Sequence, residues 1–203
     1  MSAPVICRIL DGGMFTTVQD LGRMGFQRYG VPVSGAMDPF ALAVANLLVG
    51  NPRDRACLEM TFVGPELAFD REMTMAITGG DLAPLMDGRP MRMWQAVEVP
   101  AGAVVSFAGR RDGMRGYLAC AGGFDVPLVL GSRSTFTRSA LGGFLGRALT
   151  SADELPVGDA TGGGLARRLR RRDVPRYGSS HVVRVVAGPQ DDAFTEAGLA
   201  TFL

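Results

Sequence analysis

The chain has 203 residues, a formal charge of +1 and a hydrophobic share of 47%. That length can bury a real core as one large domain or two small ones. The near-zero charge gives no electrostatic case for nucleic acid, and no apolar run is long enough to cross a bilayer.

Every basic residue outside the one histidine is arginine; there is no lysine. This excludes a Schiff-base lysine and a phosphate-loop lysine. Anion recognition must then rest on arginine forks and backbone N–H groups. The start, Met1-Ser-Ala-Pro-Val5, lacks the basic and apolar regions of a secretory signal, so a cytoplasmic protein is expected. The three cysteines, Cys7, Cys57 and Cys120, are far apart among apolar neighbours. They read as buried thiols and not as a disulfide framework or zinc site.

In chain order, Val5 to Leu10 reads as a first strand. The run from Phe15 to Arg23, followed by Gly30 to Pro39, reads as a polar, glycine-rich loop system of the kind that holds ligands. Asp38-Pro39 opens a helix running to about Leu48, with Asp38 as cap, Pro39 in the first turn and Gly50-Asn51 as the stop. Its expected apolar stripe is Phe40, Ala41, Val44, Ala45 and Leu48. From Cys57 the pattern becomes short strands: Leu58 to Phe62, Glu66 to Phe69, Met73 to Thr78, and Ala83 to Met86. Arg89 to Trp94, Ala96 to Val99, Ala103 to Ala108 and Arg115 to Ala121 follow. Asp87-Gly88 is a hairpin signal, and Pro100 to Gly102 and Asp112-Gly113 mark turns. Many short strands at even spacing predict a mainly β chain with minor helix, either barrel or sandwich.

The expected domains are a main β unit over 1–157, a Gly/Arg-rich linker over 158–180 and the start of a second lobe over 181–203. The linker carries Thr161-Gly-Gly-Gly164 and an arginine run through Arg172. His181 to Ala187 reads as a strand leading into a short helix near Asp191.

No nucleophile elbow, Cys–His pair, metal-ligand cluster or Walker loop is visible. The glycine pairs Gly79-Gly80 and Gly122-Gly123 are weak signals that ordinary strand-end turns explain. The polar loop is the site candidate. Arg23 can fix a carboxylate, Asp20 or Asp38 can relay a proton, and Ser34 with nearby glycine N–H groups can stabilise an oxyanion. Glu59 lies on an otherwise apolar strand, where a carboxylate must be paired, outward-facing or functional, and facing outward on alternate strand positions is the simplest of the three.

The order of residues carries a resemblance. The strings TTVQDLGR (Thr16 to Arg23), GVPVSGAMDPFALAVANLLVGN (Gly30 to Asn51) and LEMTFVGPEL (Leu58 to Leu67) carry it. So do ITGGDLAPLMDGRPM (Ile77 to Met91), YLACAGGFDVPLVLGSRST (Tyr117 to Thr135) and RVVAGPQDDAF (Arg184 to Phe194). Together they resemble the family called allophanate hydrolase subunit 2, KipA-like or 5-oxoprolinase subunit-C, and part of the urea carboxylase carboxyltransferase domain. The match is to the family's N-terminal portion and implies a cyclophilin-like β-barrel with an incomplete second lobe.

The resemblance implies a component of an ATP-dependent 5-oxoprolinase, opening 5-oxoproline to glutamate, with a subunit-B (KipI-like) partner and a subunit-A partner. Such a component is not expected to be active alone. ATP is implied for the assembled enzyme. Biotin is implied only under the alternative, a carboxyltransferase component acting on an amide nitrogen. A third possibility is a non-catalytic antagonist of a KipI-like kinase inhibitor. The expected catalytic residues are Asp20, Arg23 and Asp38. The expected substrate-binding residues are Thr17, Gln19, Ser34, Gly35, Glu59 and Gln190, for a small lactam or amide. One departure is Ser151-Ala-Asp153, where relatives often place a Gly-Asp turn.

Overall fold

The computed structural model describes residues 4–160 and 167–202. The chain is mainly β, as the strand-rich sequence predicts, and its strands divide into two sheets.

The first sheet is built from β1 (Val5–Asp11), β4 (Glu66–Phe69), β6 (Pro84–Met86), β7 (Arg89–Pro90), β9 (Val104–Phe107) and β11 (Glu154–Val157). Their order is β11-β1-β4-β9-β6-β7. The second contains β2 (Thr16–Gln19), β3 (Cys57–Thr61), β5 (Met73–Asp81), β8 (Ala96–Val99) and β10 (Asp112–Cys120), in the order β2-β3-β10-β5-β8. All ladders between these strands are antiparallel. Among the described residues no ladder joins one sheet to the other, so the strands are not closed into a single hydrogen-bonded barrel.

Helix α1 (Pro39–Leu48) packs on β5 and β10. Asp38 caps it: its Oδ1 accepts from Ala41 N at 3.0 Å, and Pro39 supplies a first-turn φ that needs no N–H partner. The helix buries Ala41, Leu42, Val44, Ala45, Asn46 and Leu48. Phe40, expected on the buried stripe, is instead half exposed and lies 6.4 Å from the Trp94 ring, centroid to centroid. Beyond the helix, Asn51 Nδ2 donates to Asn46 Oδ1 and Cys120 O, and Asn51 Oδ1 accepts from Gly122 N. The Asn51 amide therefore ties the helix end to the turn after β10.

The Asp87-Gly88 hairpin forms as expected. Both residues have positive φ (48° and 75°) between Met86 and its partner Arg89, as a two-residue hairpin turn requires. Beyond Phe40, four readings are corrected. The strand expected over Arg89 to Trp94 covers only Arg89–Pro90. The run Thr16 to Gln19 is a buried strand and not a loop, paired to β3 on one side and hydrogen-bonded to Thr135 and Leu149 on the other. Strand identity there follows from two satisfied edges, which propensity alone does not reveal. Asp112-Gly113 begins β10 at a register shift and does not make a free turn. Residues 181–187 form no strand; they are exposed, and no described strand lies beside them to complete a ladder.

Thr161 to Gly164 of the predicted linker lies outside the described residues. Residues after them fold back onto the sheets: Ala96 N donates to Arg167 O, Leu169 N donates to Trp94 O, and Leu169, Val174 and Tyr177 pack on the core. Residues 178–202 are exposed throughout and include the helix α2 (Glu196–Phe202). Cys7, Cys57 and Cys120 are buried free thiols. Burial raises all three above the ordinary thiol range, Cys120 to about 12.

Candidate active site

Strand register builds a polar row inside the protein. Thr17 on β2 lies opposite Glu59 on β3, Glu59 opposite Tyr117 on β10, and Tyr117 opposite Thr78 on β5. Directly opposed residues share a face, so four polar side chains cross the sheet in line. All four are buried; Glu59, expected to face outward, is turned inward and paired by the polar row. Thr78 Oγ1 donates to Ala41 O at 2.7 Å, which places the row beneath the first turn of α1.

A helix start leaves N–H groups without intrahelical partners. Here Asp38 caps Ala41 N, and the row holds the two residues that lead into the helix. Met37 N donates to Glu59 Oε2 at 2.8 Å, and Asp38 N donates to Tyr117 OH at 2.7 Å. The Tyr117 hydroxyl in turn donates to Glu59 Oε2 at 2.7 Å. Glu59 Oε1 meets Arg115 Nη1 at 3.5 Å. A carboxylate beside a helix N-terminus is also favoured by the helix dipole. Burial, with the Glu59 charge, pushes the Tyr117 phenol well above its ordinary value. Tyr117 is therefore a protonated post that fixes Glu59 relative to Asp38.

Asp38 and Arg115 are the members of this cluster that reach open space. Asp38 Oδ2 accepts from Tyr177 OH at 2.7 Å, a contact made by the segment that folds back over the sheets. Burial and the Asp38 carboxylate raise the Tyr177 phenol above its usual range, so it stays protonated and donating. Asp38 and Tyr177 border a groove of about 540 Å³, together with Met37, Met114 and Arg115.

The remaining expected residues form a second knot. Asp20 is buried and fully engaged. Its Oδ1 accepts from Gly22 N (2.8 Å), Ser132 Oγ (2.7 Å) and Ser134 Oγ, and its Oδ2 accepts from Arg133 N at 2.6 Å. Arg23 is the largest fully buried side chain, at 1% exposure. It donates to Ser34 Oγ at 3.1 Å, to Val129 O at 3.5 Å and to Ser134 O. Among the described residues it has no ion-pair partner; burial lowers its guanidinium below the ordinary value, opposed by the charge of Asp20. Gly22 and Gly35 let the two loop limbs touch. A Cβ on Gly22 would lie 2.7 Å from Val33 Cγ1, and one on Gly35 would lie 2.9 Å from Gly22 N. Arg23 N then donates to Val33 O, and Ala36 N to Asp20 O.

Thr17 and Gln19 link the two knots. Gln19 Nε2 donates to Thr17 Oγ1 at 3.0 Å and Thr135 O at 3.2 Å. Among the described residues, Thr16 Oγ1 and Gln19 Oε1 are buried without a hydrogen-bond partner. The structure thus brings together Thr17, Gln19, Asp20, Arg23, Ser34, Gly35, Asp38 and Glu59. It does not bring Gln190 there: that residue precedes a short 3-10 turn in the exposed segment.

Sequence reasoning missed Tyr117, Arg115, Ser132, Ser134 and Tyr177. The first and the two serines lie inside the string Tyr117 to Thr135 that carries the family resemblance, so that string was the available signal. Tyr177 falls in the segment read as linker, and no local pattern marks it.

Three relatives give this geometry a context. Urea amidolyase of Saccharomyces cerevisiae is 41% identical over 153 residues, covering 75% of this chain and 8% of its own length. The 5-oxoprolinase subunit-C of Escherichia coli K12 is 35% identical over 195 residues, covering 96% of this chain and 62% of that protein. The crystal structure of the K. lactis urea amidolyase superposes with a TM-score of 0.82 at 33% identity, over 88% of this chain and 11% of that one. This chain therefore spans less than two thirds of these relatives. The family model described as carboxyltransferase domain, subdomain A and B, matches residues 29–203, from the start of the second loop limb through the folded-back segment and beyond. Both the strands that carry Glu59 and Tyr117 and the helix capped by Asp38 lie inside that match, and the chain belongs to the carboxyltransferase-domain family of subdomains A and B.

Proposed function

We propose that the chain is the C-type component of an ATP-dependent 5-oxoprolinase and opens 5-oxoproline to glutamate only together with a subunit-B (KipI-like) partner and a subunit-A partner. The observation that carries this reading is the extent of the similarity to 5-oxoprolinase subunit-C, which runs over 96% of this chain. Lactam opening breaks the ring C–N bond and adds the elements of water, giving a carboxylate and a free amine. A proton must reach the ring nitrogen. Asp38, the most exposed of the site carboxylates, is the group assigned to exchange it, while Glu59 and Tyr117 hold the backbone at Asp38 in place.

ATP is needed by this reaction, but the glycine pairs of this chain do not fit phosphates. A Cβ on Gly79 would meet Arg115 O at 2.4 Å, and one on Gly122 would meet Gly158 O at 1.9 Å. The N–H groups of Gly122 and Gly123 are already engaged by Asn51 Oδ1 and Cys120 O, and Gly79 lies within the β5–β10 ladder opposite Gly116, so nucleotide handling is assigned to the partner subunits. No helix of the described residues is long and apolar enough to cross a membrane, and a cytoplasmic location is part of the proposal.

The higher identity to urea amidolyase, 41%, favours a second reading: a biotin-dependent carboxyltransferase component acting on an amide nitrogen. Reconstitution separates the two. The chain is mixed with its subunit-B and subunit-A partners, and loss of 5-oxoproline is followed alongside ADP release. A parallel mixture with a biotin carboxylase component is assayed for carboxylation of urea. The proposal expects turnover of 5-oxoproline by the three-part mixture and none by the chain alone. Activity only in the urea arm, or strong turnover by the isolated chain, contradicts it.

A further inference from the structure

The groove beside Asp38 has an unbalanced charge. Three arginines line it, Arg110, Arg115 and Arg176, against one carboxylate, Asp38. Both oxygens of Asp38 are already engaged, by Ala41 N and Tyr177 OH. Arg110 uses only Nε, which donates to Gly113 O at 2.8 Å. Among the described residues its terminal nitrogens have no partner, and Arg176 makes no ion pair or side-chain hydrogen bond at all.

The rest of the lining includes apolar side chains. Met37 and Met114 are 74% and 49% exposed and both border the groove. Tyr177 closes one side, and its ring lies so close to Gly113 that a Cβ there would stand 3.1 Å from Tyr177 Cγ. Unpaired guanidinium forks in the same groove as thioether and phenol side chains suit an anion that carries a small ring. Arginine recognises carboxylate through paired, parallel N–H donors, and methionine adapts to irregular apolar shapes. The volume, about 540 Å³, falls in the range of small-molecule sites.

We propose that this groove is an anion subsite in which Arg110 and Arg176 hold the carboxylate of a small ring-bearing acid while Met37 and Met114 contact its ring. The inference rests on the same Asp38 site as the proposed function, but it is a statement about binding and requires no turnover. Free phosphate offers the same charge without the ring, and the experiment separates the two.

The full chain is labelled with methyl-13C methionine, the Met37 and Met114 signals are assigned with Met37→Leu and Met114→Leu, and each probe is titrated. The probes are 5-oxoproline, 2-pyrrolidone (the same lactam without the carboxylate) and inorganic phosphate. Saturable shifts of both methyls with 5-oxoproline are expected, with no saturation by 2-pyrrolidone. Arg110→Gln and Arg176→Gln should each weaken binding about 10- to 100-fold, the effect of one charge-assisted hydrogen bond. Arg176→Lys, which keeps the charge, should weaken it less than Arg176→Gln. Equal affinity for 2-pyrrolidone or for phosphate overturns the proposal, as does unchanged binding in both glutamine variants or the absence of any saturable shift. Binding without turnover in the reconstituted mixture leaves this subsite standing and sinks the oxoprolinase reading. Turnover without methyl shifts does the reverse.

Discussion

Arg23→Ala should unfold the chain more readily before it does anything specific to chemistry. The side chain is 1% exposed, so truncation removes atoms from a packed interior. Large-to-small changes at such sites cost about 2–5 kcal/mol. Polar losses add unequally. Val129 O keeps a second donor, Ser132 N at 3.2 Å, and Ser34 is only half-buried, so its hydroxyl can turn to solvent. Ser134 O loses Arg23 as its donor, and an orphaned buried carbonyl costs about 1–3 kcal/mol. Relief from burying the charge offsets part of this. We expect a net loss of about 3–5 kcal/mol, measured as a lower urea midpoint at unchanged m-value. Arg23→Met, which keeps the volume and removes the donors, should lose only about 1–3 kcal/mol. If Arg23→Ala loses less than about 1 kcal/mol yet abolishes reconstituted turnover, the buried-strut account fails and a direct anion contact by Arg23 is restored.

Three other outcomes follow from the same geometry. Tyr117→Phe removes the donor to Glu59 and strands the Asp38 N–H, so a chemical denaturation curve should show a loss of about 2–4 kcal/mol; a change within ±0.5 kcal/mol would contradict the network. Asp153 is held below the usual carboxylate range by hydrogen bonds from Arg147, at 2.7 Å to each oxygen. A depressed native pKa stabilises above the unfolded value and fades as pH falls through the native one, so Arg147→Gln should cost about 1 kcal/mol at pH 7, with the gap closing below about pH 4; a gap that persists in acid would refute the pairing. Finally, a thiol reagent should find no reactive cysteine in the native chain and three after denaturation, because all three thiols are buried; fast labelling of any one at neutral pH would place it at the surface.

Local rules read well wherever local chemistry decides the structure. Asp38, Pro39 and Gly50 marked the helix because caps and turn residues act over a few positions. Asp87-Gly88 marked its hairpin because only certain residues tolerate its two positive φ angles. The polar run at Thr16 misled for the opposite reason: its strand identity comes from β3 and from Thr135 and Leu149, which arrive from far along the chain. The site shows the same split. Asp38 and Glu59 stand out in sequence as a cap and as a carboxylate on an apolar strand. Their connection through Tyr117 is a product of register, and Tyr177 reaches Asp38 from 139 residues away. Arg23 was legible as important but not as buried, since a guanidinium satisfied by carbonyl oxygens leaves no pattern in composition. The run over residues 181–187 is apolar enough for a strand but lies beside no described strand that could pair with it.

The central claim is that the Asp38 carboxylate does chemistry beyond capping α1. Asp38→Asn tests it with the least structural disturbance. Asparagine caps about as well as aspartate, its oxygen can accept from Ala41 N, and its amide can donate to Tyr177 OH in place of the present contact. The measurement is 5-oxoproline consumption by the reconstituted subunits, wild type against Asp38→Asn, with urea midpoints recorded for both. The account predicts a midpoint within about 1 kcal/mol of wild type and a fall in kcat of about 100-fold or more. Full turnover by Asp38→Asn would contradict it, and would reduce the Asp38 cluster to a cap for the helix.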